Sequence, residues 1–181
     1  TSIQQISKKA GISVGAIYKY FENKDALFHV IVEDGLSELK NMLTSLRETD
    51  EDIALKAQTI IRTILDFSRR EPELVKLYLS LTADGNPEFL TSLSQSIEAL
   101  SAGIYIDEIK SAQKIGDVRS DISPEFFAFL LDNIFVMLQY ATACTYFKKR
   151  FEIYVGKSPE ECEDMIVDQT LRFLKAAFNF K

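Results

Sequence analysis

The sequence of 181 residues has one histidine, two cysteines, four prolines, seven glycines and no tryptophan. A single histidine, His29, does not supply the repeated ligands of most metal sites or a catalytic triad. Cys144 and Cys162 lie in neither a CxxC nor a CxxH spacing, so neither zinc nor a disulfide framework is indicated. Few glycines and prolines also disfavour an all-β chain, which needs many turns. We therefore expect reduced thiols, no metal, no cofactor and a helical fold.

Charge is distributed unevenly along the chain, whose formal net charge is −6. Residues 1–25 contain four lysines and two acidic residues, a net charge of +2. The other residues contain 17 basic and 25 acidic side chains, a net charge of −8. A small basic end on an acidic body suits a protein that binds DNA with one end only.

The prolines mark helix starts, because each precedes a glutamate and three follow a residue that caps helices: Asn86, Ser123 or Ser158. Proline fits the first helical position, where its missing N–H would be unpaired anyway, and Ser158 with Glu161 forms a capping box. No strand-type alternation is visible, so the chain is predicted to be all-α. The predicted helices cover about residues 2–10, 14–21, 24–47, 52–70, 72–83, 87–114, 124–151 and 159–180.

The most apolar stretch runs from Phe126 to Phe147 and is long enough to span a bilayer. It contains Asp132, Asn133 and Gln139, and a single aspartate at mid-membrane costs about 2.5–3.5 kcal/mol. We therefore interpret it as a helix buried by protein on more than one side, and expect no membrane interaction.

The N-terminal end has the pattern of two short helices joined by a tight turn. Ile3 lies on the inner face of the first helix, and Gly11 follows where that helix ends. Ser13 caps the second helix, whose Ile17 points inward. This geometry is typical of a helix-turn-helix, whose second helix enters the major groove of DNA. Small side chains at its start, Val14 to Ala16, allow close approach to bases, while Tyr18, Lys19 and Tyr20 offer donors to phosphates.

The residues that resemble a known family extend beyond this helix-turn-helix pattern. The run Ile-Tyr-x-Tyr-Phe-x-Asn-Lys-x-x-Leu at residues 17–27 is the most specific part of a stretch that strongly resembles the TetR family of bacterial transcriptional regulators. The strong resemblance covers about the first 45 residues, and the rest matches in architecture only. Two short helices do not bury their own apolar faces, so we expect an upstream helix, the first of the family's DNA-binding domain, which this sequence lacks.

The resemblance implies a cytoplasmic homodimer that binds a palindromic double-stranded DNA operator, usually as a repressor, and is released by a small molecule. It implies a DNA-binding head with its linking helix at residues 1–46 and a larger helical ligand-binding and dimerisation domain at residues 47–181. The positions that fall where the family touches DNA are Ser2, Gln4, Ser13, Val14, Gly15, Ala16, Tyr18, Lys19, Tyr20 and Lys24.

Aromatic residues are concentrated in the C-terminal part, where they form either the core or the wall of an apolar cavity for an apolar effector. The residues predicted to bind it are Phe67, Tyr78, Tyr105, Phe129, Asn133, Phe135 and Tyr140. Asp66, Asp107 and Gln139 are further candidates for polar groups that orient a ligand.

The last two predicted helices are candidates for a dimer interface, because two such pairs form a four-helix bundle across a two-fold axis. The predicted interface residues are Phe127, Leu131, Ile134, Leu138, Ile166, Thr170, Leu171, Leu174 and Phe178. The alternative is that this stripe packs within its own subunit.

The sequence gives less support to other classes of protein. The sequence contains no glycine-rich phosphate loop and no Gly-x-Ser-x-Gly motif, so we expect no enzyme. Cys162 lies near a predicted helix start, where a lowered pKa would allow a redox sensor. A helical ligand-binding or adaptor protein without DNA binding is the second hypothesis.

Overall fold

The computed structural model describes residues 2–49, 51–84 and 87–178, and within these ranges it contains helices, turns and short loops but no strand. The all-α prediction is thereby confirmed. The helices are α1 (Ile3–Ala10), α2 (Val14–Tyr18), α3 (Lys24–Gly35), α4 (Ser37–Arg47), α5 (Ile53–Arg70), α6 (Pro72–Asp84), α7 (Pro87–Ser96), α8 (Glu98–Ile115), α9 (Pro124–Ala143), α10 (Thr145–Val155) and α11 (Glu163–Phe178).

Three long helices expected from the sequence are each divided in two. The predicted helices 24–47, 87–114 and 124–151 become α3 with α4, α7 with α8, and α9 with α10. The joints are Leu36, Ile97 and Cys144, of which Cys144 is extended at φ −107° and ψ 125°. Apolar periodicity continues across each joint because both halves pack on the same core, so spacing alone does not reveal the breaks.

Proline begins α6, α7 and α9 as predicted, and the Ser123 hydroxyl accepts a hydrogen bond from the Phe126 N–H at 3.2 Å. Pro159 instead begins a 3₁₀ turn, Pro159–Glu161, so α11 starts only at Glu163. The predicted capping box between Ser158 and Glu161 is present. Asn86 and the end of the last predicted helix lie outside the described residues.

α5 is the central helix of the body. It packs against α4, α6, α8, α9 and α11, and Ile61, Phe67 and Ser68 on it are almost completely buried. The Ser68 hydroxyl donates to the Ile64 carbonyl at 2.6 Å, which satisfies the polar atom inside the core. Lys56 and Glu108 pair at 2.8 Å and tie α5 to α8.

α1 and α2, with the turn that leads to Lys24, form a separate small unit, the head (residues 2–24). They pack against each other through Ile3 and Ile17, which are 7% and 5% exposed. The main core begins further along the chain, at Val32 in α3. α4, the second half of the expected linking helix, packs with α5 and α8 and contributes Leu39 and Leu43 to that core.

α9 is the one helix in the described ranges that is long and apolar enough to cross a membrane. A single such helix is weak grounds for membrane insertion, because the core helix of a globular protein has the same length and composition. Here Phe127, Ala128, Leu131 and Phe135 are buried against the other helices of the body.

Candidate functional site

The head is shaped by local capping. The Ser2 hydroxyl accepts from the Gln5 N–H at 3.2 Å, and the Gln5 side chain accepts from the Ser2 N–H at 2.8 Å, so α1 begins with a capping box. Gly11 ends α1 at φ 70°, a left-handed conformation that glycine adopts without strain. The Ser13 hydroxyl then accepts from the Ala16 N–H at 3.1 Å and begins α2. These caps fix the turn between the two helices.

Most of the sequence-predicted DNA-binding residues are open to solvent. Tyr18 is 53% exposed and Tyr20 75% exposed, while Ile17, which precedes them, is buried in the head. The exposed group also contains Gln4, Ser13, Gly15, Lys19 and Lys24, and the half-buried group is Ser2, Val14 and Ala16. α2 ends at Tyr18, earlier than expected, so Lys19 and Tyr20 lie in a turn that follows it.

The lysines of the head are not neutralised by acidic side chains, although Lys19 and Lys24 lie 5.7 and 5.6 Å from the ring centres of Tyr20 and Phe28. Lys8, Lys9, Lys19 and Lys24 form no ion pair with any residue that the structure describes. The basic residues of the body behave differently, and those that pair with acidic side chains are Arg47, Lys56, Arg62, Arg69, Arg70, Lys76, Lys110, Arg119, Lys148, Lys149 and Arg172. The head is therefore the part of the molecule with charge available for an anionic partner.

Lys24 stands at the first position of α3, where the helix dipole disfavours a cation. Asn23 caps this helix through its side-chain oxygen, which accepts from the Ala26 N–H at 2.8 Å. The Lys24 ammonium lies 5.6 Å from the centre of the Phe28 ring. The Phe28 ring stabilises the ammonium locally, and Lys24 remains exposed and available to a negatively charged partner.

α3 connects the head to the body. His29 packs edge-on against Phe89 of α7, with ring centres 6.2 Å apart, and pairs with Glu33 at 3.4 Å. Gly35 crosses α6 so closely that a Cβ atom there would lie 2.3 Å from the side chain of Leu74. The only histidine of the chain thus packs between two helices.

Next to this crossing, α4, α5, α6, α8 and α9 enclose a cavity of about 770 Å³ including its mouth, here called the chamber. Leu36, at the joint between α3 and α4, lies in its wall. Aliphatic side chains form most of the lining. Its polar side chains are Lys40, Tyr78, Glu98, Ser101, Tyr105, Asp132 and Gln139. An apolar lining with a few polar side chains is typical of small-molecule sites.

The structure brings only part of the predicted ligand set together. Tyr78, Tyr105 and Phe135 line the chamber. Phe67 is packed in the core, and Tyr140 is buried against Phe147. The other two predicted residues, Phe129 and Asn133, face outward, and the Asn133 amide donates to the Phe129 carbonyl at 2.6 Å.

Among the polar candidates, Gln139 lines the chamber, whereas Asp66 and Asp107 lie on the surface in ion pairs with arginines. Sequence reasoning missed Asp132 and Glu98 as chamber residues. Asp132 was visible only as a charge inside an apolar stretch. Burial, together with the nearby Glu98 carboxylate, raises the pKa of Asp132 from 3.8 to about 6. Glu98 accepts a hydrogen bond from the Tyr78 hydroxyl.

A groove of about 680 Å³ between α8 and α9 adjoins the chamber. Glu98, Ser101, Tyr105 and Asp132 line both spaces, and we call these four residues the acidic wall. Phe129 lines the groove from outside. A ligand that passes through the groove therefore meets the acidic wall before it reaches the apolar part of the chamber.

The predicted dimer stripe is largely internal. Phe127 stacks on Phe178 with ring centres 3.7 Å apart, and Leu131, Ile166 and Leu174 are also buried within the subunit. Ile134, Leu138, Thr170 and Leu171 are half-buried. These positions pack on the core of their own subunit. The apolar periodicity of the sequence identifies this face but does not show whether the same subunit or a second copy packs against it. The exposed apolar side chains of the same helices are Phe126, Phe129 and Met137 on α9 and Phe173 on α11.

The cysteines do not have the character of redox sensors. Burial raises the pKa of Cys162, against the lowered pKa expected from the sequence, and its thiol donates to the Ser158 carbonyl at 3.1 Å. Burial likewise raises the pKa of Cys144. Both thiols are free and buried, so neither is readily ionised for oxidation.

Comparisons with known proteins agree with this architecture. Residues 1–31 match the family model of bacterial regulatory proteins of the tetR family. The nucleoid occlusion factor SlmA of Haemophilus influenzae (strain PittGG) is 30% identical over 73 residues, which are 40% of this chain and 34% of that protein. The chain thus spans about a third of the length of the curated relatives that it matches first.

Two solved structures share the fold across nearly the whole chain. AibR in complex with isovaleryl coenzyme A and operator DNA has a TM-score of 0.68 and 16% identity, with 94% of this chain and 85% of that chain covered. The SmeT–triclosan complex has a TM-score of 0.68 and 19% identity, with 100% of this chain and 82% of that chain covered. At these identities the likeness concerns the fold.

Proposed function

Because its N-terminal domain makes this chain a member of the tetR family of bacterial regulatory proteins, we propose that it is a ligand-responsive transcriptional regulator. In this proposal it is a cytoplasmic homodimer that represses by binding a palindromic operator, and a small, mainly apolar molecule in the chamber releases the DNA. The observation that carries the proposal is the set of unpaired lysines around the exposed face of α2. The regulatory relatives support a binding protein and not an enzyme.

Each residue of the head has a role in this proposal. Val14, Gly15 and Ala16 contact base edges, and the open space around Gly15 lets the backbone approach them. Tyr18 and Lys24 hold the phosphate backbone. The remaining predicted residues, Ser2, Gln4, Ser13, Lys19 and Tyr20, border the same surface and complete the contact with the backbone.

The dimer interface is proposed on the outward face of α9 and α11, in place of the stripe expected from the sequence. Phe126 is 56% exposed, and Phe129 and Phe173 are each 59% exposed. The rings of Phe126 and Phe129 have centres 6.3 Å apart, and exposed apolar groups of this kind mark interaction surfaces in soluble proteins. Two copies joined through these helices form a four-helix bundle and present two heads to one DNA duplex.

Coupling between ligand and DNA is proposed to pass through the joint at Leu36. α4 lines the chamber, whereas α3 holds the head and crosses α6 at Gly35. A ligand that binds tighter to a state with a changed angle between α3 and α4 shifts the molecule to that state. Successive major grooves lie about 34 Å apart, so a displacement of a few ångströms costs contacts in one half-site.

The test is DNA binding by the full-length protein to the promoter of its own gene, followed by fluorescence anisotropy. We expect nanomolar binding that weakens steeply with salt, because lysine contacts release counterions from DNA. Val14→Ala should change which sequences are preferred, whereas Lys24→Ala should weaken all sequences alike. Binding that is absent at low salt would contradict the proposal and leave a ligand-binding protein without DNA binding.

A further inference from the structure

We propose that the effector is a cationic amphiphile, an organic amine whose hydrocarbon part occupies the chamber and whose protonated nitrogen pairs with Asp132. This inference rests on the proposed function for the meaning of the chamber, but the binding it predicts is independent of DNA. The proposal specifies the charge of the ligand, which the apolar lining alone does not indicate.

The first argument is a carboxyl group without a partner. Asp132 is half-buried in α9, and it forms no hydrogen bond or ion pair with any residue in the described ranges. An ionised carboxylate in such a place is costly unless a donor or a cation satisfies it. A ligand that brings a positive N–H group removes this cost, and the gain appears as binding free energy.

A second polar group on the acidic wall is also unsatisfied. Tyr105 is only 7% exposed, and its hydroxyl bonds to no residue that the structure describes. Among the described residues, no fully buried side-chain nitrogen or oxygen lacks a hydrogen-bond partner. The Tyr105 hydroxyl therefore keeps some accessible surface, and Tyr105 lines both the chamber and the groove. Two groups that can accept a hydrogen bond from a ligand thus share one wall.

The balance of charge favours a cation. Asp132 and Glu98 both face the chamber, and Glu98 is held in place by the hydroxyl of Tyr78. Lys40 is the one basic side chain in the described lining, and its long stem lets the ammonium reach solvent. An anionic ligand would meet two carboxyl groups at the wall, and a neutral donor could satisfy Asp132 by a hydrogen bond but would not compensate its charge.

The surroundings suit the rest of such a molecule. Tyr78, Tyr105 and Phe135 present aromatic rings beside the carboxyl groups, and ring faces attract desolvated cations. Beyond them the lining is aliphatic, with Leu39, Met42 and neighbouring residues able to cover a hydrocarbon chain. The chamber therefore has a charged end and an apolar end, as an amphiphile does.

Three probes of matched shape test the charge: 6-phenylhexylamine, 6-phenylhexan-1-ol and 6-phenylhexanoate. Their binding to the full-length protein without DNA is measured by calorimetry at pH 7.5, where the amine is protonated. We expect the amine to bind at least tenfold tighter than the alcohol and the carboxylate to bind weakest. Equal affinities, a preference for the carboxylate, or no binding of the amine at millimolar concentration overturns the proposal.

Asp132→Asn keeps the size of the side chain and removes its charge. We expect it to reduce the advantage of the amine over the alcohol to less than threefold. Asp164→Asn is the matched control, since Asp164 is 91% exposed in a surface pair with Arg62 and lies outside the chamber lining. An amine advantage that survives in the Asp132→Asn variant contradicts the proposal even if all proteins fold equally well.

Failure of this inference is distinguishable from failure of the proposed function. If the amine binds and operator DNA stays bound, the ligand class stands and the proposed coupling fails. If the amine does not bind but a neutral or anionic compound releases the DNA, the regulator stands and the ligand class is wrong.

Discussion

The head and the body use charge in opposite ways. The lysines of the head form no ion pair with the described residues, whereas most basic side chains of the body are neutralised by acidic neighbours. In the body, the unpaired charge that matters is a carboxyl group, Asp132, which faces a cavity. One chain thus offers positive charge outward at one end and negative charge inward at the other. This division of charge is what the two proposals use: a polyanion on the surface of the head and a cation inside the body.

The largest effect is expected from a substitution in the surface that is proposed to bring two heads together. Phe126→Glu places a charge at the centre of the proposed interface, and loss of such an aromatic anchor weakens a dimer by about 3 kcal/mol, roughly a hundredfold. We expect monomers in analytical ultracentrifugation and loss of specific DNA binding. Ile153→Glu, at an 82% exposed position on α10, is the control and should leave the dimer intact. A dimer that persists with Phe126→Glu would place the interface elsewhere.

The outward charge of the head is tested by Lys24→Ala. We expect about tenfold weaker binding to every DNA sequence, and a salt dependence smaller by about one released counterion. Stability should stay the same or rise slightly, since a cation at a helix N-terminus is unfavourable. Lys149→Ala in the body, which loses only a surface pair with Glu152, is the matched control. Equal losses in the two variants would remove the distinction between the regions.

The inward charge of the body is tested by Asp132→Asn without ligand. Folding raises the pKa of this carboxyl from 3.8 to about 6, so the folded state binds the proton more tightly than the unfolded state. The native protein therefore loses stability as pH rises from about 4 to about 6, and no more above that range. The variant should equal the native protein near pH 4 and exceed it by about 3 kcal/mol at pH 7.5, measured by denaturant unfolding. A variant that is less stable at pH 7.5 would mean that Asp132 has a partner.

The link between the two regions is tested by Gly35→Ala. The added carbon meets the Leu74 side chain at 2.3 Å, so α3 must move away from α6 or Leu74 must turn. We expect a loss of about 1 kcal/mol in stability and altered DNA affinity, with binding of 6-phenylhexylamine unchanged. Gly103→Ala in α8, where nothing lies within 4 Å, should instead stabilise the protein by up to about 1 kcal/mol. Equal effects of the two changes would show that the crossing is not tight.

The head could be predicted from the sequence because its structure is local. Ser13 caps α2 through the backbone N–H three positions ahead, and Gly11 ends α1. Ile17 is the buried residue of the short helix α2. The exposed side of α2 follows directly from which residues are apolar. In these two short helices the exposure of a residue follows from its place in the sequence. The candidate residues could therefore be named from the sequence.

The chamber and the outward face could not be predicted in the same way. Tyr78, Glu98 and Asp132 come from three helices that are distant in sequence, and only their packing brings them to one cavity. Phe127 and Phe126 are neighbours in an apolar run, yet one is fully buried and the other is exposed. An apolar stripe shows that a face is covered, but its partner, own subunit or second copy, depends on the arrangement of helices around α5.

The most direct test of the account is the distance between the two heads, measured by pulsed electron resonance with a nitroxide label at residue 22 in a Glu22→Cys variant. Glu22 is exposed, and both native cysteines are buried. With operator DNA, we expect a distance that fits heads about 34 Å apart. Saturating 6-phenylhexylamine should shift it by several ångströms as the DNA dissociates. Dissociation with an unchanged distance would contradict coupling between chamber and heads.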